Sequence, residues 1–514
     1  MRRTSPGILP LVTVDRASGK PLYRQLYEGY RNAIVSRLLR TGQRMPSTRT
    51  LAADLGISRI PVLNAFEQLL AEGYFESRRG AGTFVAEVLP EEIAAPVGLE
   101  PSRKTRSRRA PRALSRRVTH LMQEGPGPWL RNLGLFSVSQ PPIDHFPLKI
   151  WSRLVARRSR ELDGTLLHYS QPMGYLPFRE AVAEYLRTSR AVACEASQIM
   201  VVNGSQHALE LTALALLDPG QSAWIENPGY FGAKKALRMA GVRLAPVPVD
   251  DAGLDVEAGI RACPRAQAAY VTPSHQFPLG VTMSASRRLQ LLDWAQTTGS
   301  WIIEDDYDSE YRFGSQPISS LQGLDRDRRV IYIGTLTKIL FPALRIGYIV
   351  IPEDLIEAFA TIRKGMDFFS ATFHQAVLAD FIREGHLSRH ARRMRQLCEG
   401  RRSALVEAVR TELGDCLEVL GDRAGMFLAA ALPRGCDDRP IAEEAARGGL
   451  WATPLSECYI GRARRTGLVL GYGGFSAEEI RVGVRRLRAA FEATGFRSLP
   501  PRAKRSRSGA RHSA

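Results

Sequence analysis

The 514-residue chain holds only six cysteines, Cys194, Cys263, Cys398, Cys416, Cys436 and Cys458, and no two have CxxC spacing. That scatter argues against a disulfide framework and against a metal site, so a reducing cytoplasm is the expected setting. No apolar run reaches the roughly 20 residues of a membrane span. The opening Met1-Arg2-Arg3-Thr4-Ser5-Pro6 lacks the apolar stretch of a secretion signal, and neither a signal nor a membrane partner is expected. Acid is missing altogether from two segments: residues 103–117 carry eight basic side chains and residues 497–514 carry six. These supply 14 of the net charge of +19, and residues 118–496 are left nearly neutral. Basicity gathered at one end, a linker and a tail points to a nucleic-acid partner rather than to a uniformly basic enzyme.

At this length two or three domains are expected. In the N-terminal part Leu22, Leu26, Tyr30, Ile34 and Leu38 recur at helical spacing, predicting an amphipathic first helix over 21–39. Ser47 suits the N-cap of a short helix that Gly56 closes. Ser58 suits the cap of a second helix ending at Gly73, with Pro61 tolerated in its first turn. Two short helices joined by a Gly-containing turn predict a helix-turn-helix. The apolar pairs flanking Arg78-Arg79-Gly80-Ala81-Gly82 predict a β-hairpin wing. In such a unit the second helix enters the major groove of double-stranded DNA. Ser58, Arg59, Ile60 and Asn64 are then expected to face base edges, and Arg59 can fork onto guanine. Ser47, Arg49, Arg78, Arg79 and Gly82 are expected along the phosphates, fixing register.

Pro21-Leu22-Tyr23-Arg24-Gln25-Leu26, Met45-Pro46-Ser47-Thr48-Arg49, Leu51 through Arg59 and Arg79-Gly80-Ala81-Gly82-Thr83-Phe84-Val85 resemble the winged helix of GntR-type regulators. Two departures stand out. Ile60-Pro61 occupies the place of a usual polar pair, and Asn64 that of a frequent arginine. The expected domains are a winged helix-turn-helix at 15–88, a flexible basic linker at 89–128, a cofactor domain at 129–495 and a basic disordered tail at 496–514. Roughly forty residues of coil give the linker a root-mean-square span of about 35–40 Å.

Beyond residue 145 short apolar runs alternate with helical stretches: Ile199–Val202, Ser222–Ile225, Ala268–Thr272, Trp301–Glu304 and Val330–Ile333. This predicts an α/β domain with a mostly parallel sheet covered by helices, functional residues lying at strand carboxyl ends. Ile199–Val202 runs into Asn203-Gly204-Ser205-Gln206 and a helix, an arrangement suited to phosphate. Tyr230 follows another strand and is placed to cover a flat ring. Asp305-Asp306-Tyr307 ends a third strand, offering an acid for a pyridine nitrogen and a phenol for a ring oxygen. Val330–Ile333 then delivers Thr335, Thr337 and Lys338. Among apolar neighbours this lysine is expected to have a lowered pKa, and Arg345 can fork onto phosphate.

His168-Tyr169-Ser170, Gly174 through Ala181, Thr272 through Pro278, Ile302–Tyr311 and Gly334–Tyr348 resemble the fold-type I aminotransferases, and specifically the MocR regulators. The resemblance implies pyridoxal 5′-phosphate held by Lys338 as a Schiff base. It puts Asp305 on the pyridine nitrogen, Tyr307 on the ring oxygen and Tyr230 over the ring. Gly204, Ser205, Gln206, Thr335, Thr337 and Arg345 would hold the phosphate, and Tyr169 would reach it from the partner subunit of a homodimer. It also implies a smaller C-terminal α+β part. Phe277 stands where an asparagine usually contacts the ring oxygen, and Thr337 replaces a serine. Phe231-Gly232 follows Tyr230 where the γ-aminobutyrate-sensing branch has a nearby arginine for its effector's carboxylate, so that effector is not expected here. Arg462, Arg464 and Arg465 are alternative carboxylate binders. The expected function is a cytoplasmic, nucleoid-associated transcriptional regulator that senses an amino compound or the cofactor itself, with no turnover required. The rival is an active aminotransferase carrying an accessory DNA-binding domain.

Overall fold

The computed structural model describes residues 12–90, 113–115, 118, 119, 122, 133–138, 140–162, 164–314, 319–421 and 424–496. The chain falls into two compact units, Met1–Ala113 and Leu114–Ala514. The linker block 103–109 and the tail 497–514 lie outside the described residues.

The first unit contains α1 (Leu22–Val35), α2 (Thr48–Asp54), α3 (Arg59–Ala71) and a hairpin of β1 (Phe75–Arg78) with β2 (Gly82–Val85). Leu26, Tyr30 and Ile34 share the buried face of α1. The spacing predicts Leu38 next, and here the structure differs. The helix stops at Val35 and Arg37 takes a left-handed φ of 59°. The chain is thereby turned so that Leu39 is 3% exposed and Leu38 68%. The Ser47 hydroxyl accepts from the Thr50 N–H at 3.1 Å and caps α2. Ser58 sits at the cap of α3 without a side-chain bond. Phe66 packs edge-on against Tyr30 and Phe75, with ring centroids 6.0 and 5.0 Å apart, joining helices to wing. Beyond the predicted hairpin, residues 42–45 run beside β2. The Met45 N–H donates to Thr83 O at 2.8 Å and the Val85 N–H to Gln43 O at 2.8 Å. The wing therefore has a third edge, which carries Arg44.

The second unit is built on eight strands: β3 (Ile199–Val202), β4 (Ser222–Asn227), β5 (Arg243–Asp250), β6 (Gly253–Leu254), β7 (Ala268–Val271), β8 (Trp301–Asp306), β9 (Val330–Thr335) and β10 (Gly347–Val350). Their order is β3-β10-β9-β8-β7-β4-β5-β6. The five from β9 to β5 are parallel, while β10 runs antiparallel to both β3 and β9 and β6 antiparallel to β5. β3, β7, β9 and β10 are buried along their whole length. That burial on both faces explains why they read as continuous apolar runs. A smaller antiparallel sheet of β11 (Glu418–Val419), β12 (Phe427–Ala431), β13 (Thr453–Pro454) and β14 (Gly467–Gly471) follows in the order β11-β12-β14-β13. No helix among the described residues is long and apolar enough to cross a membrane.

Candidate cofactor site and nucleic-acid interface

The carboxyl ends of β3, β4, β7, β8 and β9 open on one cavity of about 240 Å³. Ser205, Gln206, Tyr230, Asp305, Tyr307, Thr337, Lys338 and Arg345 all line it. At its floor Lys338 is partly open to the cavity, and its carbonyl accepts from the Tyr311 hydroxyl at 2.9 Å. Burial pulls its ammonium down to about 8, against the opposing pull of Asp308 and Asp305.

Of the two adjacent aspartates only Asp305 faces the cavity. Asp306 is tied to Arg190 at 2.7 Å and to the Tyr332 hydroxyl at 2.6 Å. Asp305 Oδ2 accepts from the Tyr270 hydroxyl at 2.8 Å, whereas its buried Oδ1 has no hydrogen-bond partner among the described residues. Burial pushes this carboxyl up to about 7. An orphaned carboxylate oxygen deep in a cavity asks for a donor, and a protonated pyridine nitrogen is one.

The opposite end suits an anion. Gly204 caps the helix Ser205–Leu216 with a φ of 93°. A Cβ there would lie 3.3 Å from Arg345 Nη2, so glycine lets the guanidinium lie against the turn. Arg345 itself donates to Asn203 O at 2.9 Å. The backbone N–H groups opening the helix point to the same place. The Gln206 carboxamide is turned away, onto Glu210 and Gly232 O, leaving its main chain to serve.

One residue stands differently from the sequence-based expectation. Thr335 is one layer behind the lining: its hydroxyl meets that of Thr337 at 2.9 Å and supports it. Tyr307 lines the cavity; its hydroxyl donates to His275 O at 2.8 Å, and the His275 ring in turn meets Asp308 at 2.9 Å. Tyr169 is outside its own chain's cavity, 86% exposed beside Phe368 and Phe369. Sequence reasoning missed Tyr270 in β7 and Thr272 just past the end of that strand, two residues on and toward the same side. It also missed Val138 and Phe231, which the sequence does not distinguish from core residues.

On the winged unit Ser47, Arg49, Ser58, Arg59, Ile60, Asn64, Arg79 and Gly82 are exposed. Arg59 Nε donates to the Thr48 hydroxyl at 3.1 Å, joining the starts of α2 and α3. Arg78 is engaged by Glu76 and by Glu87, the latter at 2.9 Å, and lies over the Phe84 ring. Its charge is thus already met. Arg44, which the sequence reading passed over, lies beside Gly82 on the wing's third edge.

Fold and site together define a fold-type I pyridoxal-phosphate protein joined to a winged helix. The model for aminotransferase class I and II matches residues 134–487, and that for bacterial regulatory proteins of the gntR family matches 22–85. The chain is 40% identical over 483 residues to the probable rhizopine catabolism regulatory protein MocR of Rhizobium meliloti, covering 94% of this chain and 96% of that one. It is 31% identical over 459 residues to the HTH-type pyridoxine biosynthesis transcriptional regulator PdxR of Corynebacterium glutamicum, covering 89% and 93%. A Pyrococcus horikoshii kynurenine aminotransferase superposes with a TM-score of 0.66 at 26% identity, over 74% of this chain and 95% of that one. The chain belongs to the MocR subfamily of GntR-type transcriptional regulators.

Proposed function

We propose that this protein is a DNA-binding regulator whose aminotransferase-like body holds pyridoxal phosphate and reports an amino compound, or the cofactor itself, to the winged helix. The observation that carries the cofactor half is the single cavity containing both the partly open Lys338 and the orphaned Asp305 Oδ1. When bound, the cofactor supplies an aldehyde that amines capture and a ring that withdraws electrons. Lys338, low in pKa, supplies a neutral amine to that aldehyde near neutral pH. Asp305 holds a proton at the pyridine nitrogen, and Tyr270 keeps its other oxygen occupied. The first turn after β3, Thr337 and Arg345 receive the phosphate, and Tyr230 covers the ring.

The exposed start of α3 supports insertion into a major groove, with Ser58, Arg59, Ile60 and Asn64 toward bases and Ser47, Arg49, Arg79 and Gly82 along phosphates. Arg44 joins the phosphate set and Arg78 contributes little. The exposed Tyr169, with Phe368 and Phe369 beside it, supports a two-fold homodimer in which it meets the partner's site. The body then biases how two heads engage paired sites, through the different affinities of ligand for its arrangements. The test is operator binding by the cofactor-loaded chain and by Lys338→Ala, each with and without ligand. A ligand response that survives in Lys338→Ala with no bound chromophore rejects the reading. Multiple-turnover transfer to a 2-oxo acid, at rates approaching the ~10 s⁻¹ typical of enzymes, favours the aminotransferase instead.

A further inference from the structure

We infer that the amine sensed by this body is one whose remaining bulk is uncharged, an amino alcohol or neutral cyclic amine rather than an amino acid. The inference rests on the cofactor reading above and narrows its ligand. With the phosphate at Ser205, Thr337 and Arg345 and the ring nitrogen at Asp305, the lining that this chain leaves for a ligand's body is Val138, Tyr230, Phe231, Thr272, Phe277 and Tyr307. Every one is neutral. Among the described residues that line this cavity, Lys338 and Arg345 are the only cations, and both already have a task.

The wall behind is apolar in depth. Phe277 is 4% exposed and packs edge-on against Tyr230 at 5.8 Å and against Phe427 at 5.3 Å. Leu279, Leu455, Cys458 and Val469 belong to the same buried cluster. A carboxylate pressed against it loses its water and gains no counter-charge. The Thr272 hydroxyl does not help, since it donates to the buried Glu226 at 2.6 Å.

Neither place where an arginine was sought brings one to this cavity, and Arg462 lines neither it nor the cavity of Arg464 and Arg465. At position 232 any side chain would collide with the ring of Tyr230, because a Cβ there would lie 2.5 Å from it. Arg464 and Arg465 line a separate cavity of about 310 Å³, which they share with Asp250 and Asp251. Asp250 is itself bonded to Arg287 at 3.0 Å, and no residue of that cavity lines the one holding Lys338.

The experiment uses the full chain loaded with pyridoxal phosphate and freed of excess cofactor. It follows the cofactor's absorbance during titration with two matched pairs, alaninol against L-alanine and trans-4-aminocyclohexanol against trans-4-aminocyclohexanecarboxylate. The alcohol of each pair is expected to half-saturate at a concentration at least about tenfold lower, a difference of about 1.4 kcal/mol. Equal or tighter response to the carboxylates overturns the inference. In the Arg464→Ala/Arg465→Ala variant the ranking is expected to persist; loss of a carboxylate response there assigns that group to the second cavity and also overturns it. If no amine moves the spectrum while borohydride still fixes the cofactor to Lys338, amine sensing fails and the cofactor reading stands. If borohydride fixes nothing, the cofactor reading itself fails.

Discussion

The two units carry their function on opposite sides of their surfaces. In the winged unit the residues assigned to DNA are outside: Arg49, Ser58, Arg59, Ile60 and Asn64 face solvent. In the body the decisive groups are inside, and their neighbours have already altered them. Asp305 is raised to about 7 and Lys338 lowered to about 8, both chiefly by burial. A buried group's chemistry is set by its own chain, so one chain reveals it. A surface group acquires its role from the molecule that lands on it, and its target is written elsewhere.

The sharpest way to test this contrast is to delete the interior amine. Lys338→Ala is expected to abolish the borohydride-stable adduct completely while leaving the far-UV circular dichroism unchanged; an adduct of undiminished yield would break the contrast at its root. The perturbed pKa is the next handle. Only the neutral amine attacks an aldehyde, so loading is expected to accelerate as pH rises and to level off above about pH 8. Between pH 6 and 8 the rate rises roughly fiftyfold, whereas a lysine of ordinary pKa would keep accelerating past pH 10. Stopped-flow absorbance against pH separates the two.

Arg345→Ala removes a charged fork from the phosphate and is expected to weaken cofactor retention by about 1.5–3 kcal/mol, measured by equilibrium dialysis. On the outside the effects shrink. Arg59→Ala is expected to cost about 1–3 kcal/mol of operator affinity and to relax preference at one base pair, whereas a uniform loss on all sequences would make it a phosphate contact. The smallest effect is expected at Arg78, held by Glu76 and Glu87: alanine there changes operator affinity by less than about twofold. A larger loss for Arg78 than for Arg44 in a gel-shift series would reverse the order proposed for the wing.

The same contrast explains what was legible in the sequence. β3 and β9 were readable because burial on both faces demands unbroken apolar runs, as was the Trp301–Ile303 half of β8, and the ends of these strands with the turns after them hold residues of the cavity. β5 was not, since Pro246 and Pro248 interrupt the strand signal. Tyr270 escaped notice because a tyrosine in a buried strand reads as core; its partner Asp305 is one strand away in the sheet but 35 residues away in the chain. Leu38 was expected on the apolar face of the first helix, but a single left-handed residue, Arg37, shifts the phase after α1 and Leu39 is buried instead. In the wing, Arg78 and Arg44 looked alike as letters; only the positions of Glu76 and Glu87 distinguish them.

The reversed direction of β10 beside β9 fixes how far apart two charged groups of the site can lie. Parallel strands can present only their ends at the cavity's edge, but a strand laid in the reverse sense presents its beginning. The chain therefore leaves that edge after Lys338 and is back at it by Arg345, seven residues on, without crossing the sheet. Anchor and counter-ion are thus spaced by a short loop of fixed length. Adding a single residue between them would leave the lysine where it is and carry the guanidinium off the turn at Gly204, so this interval should tolerate substitutions far better than insertions.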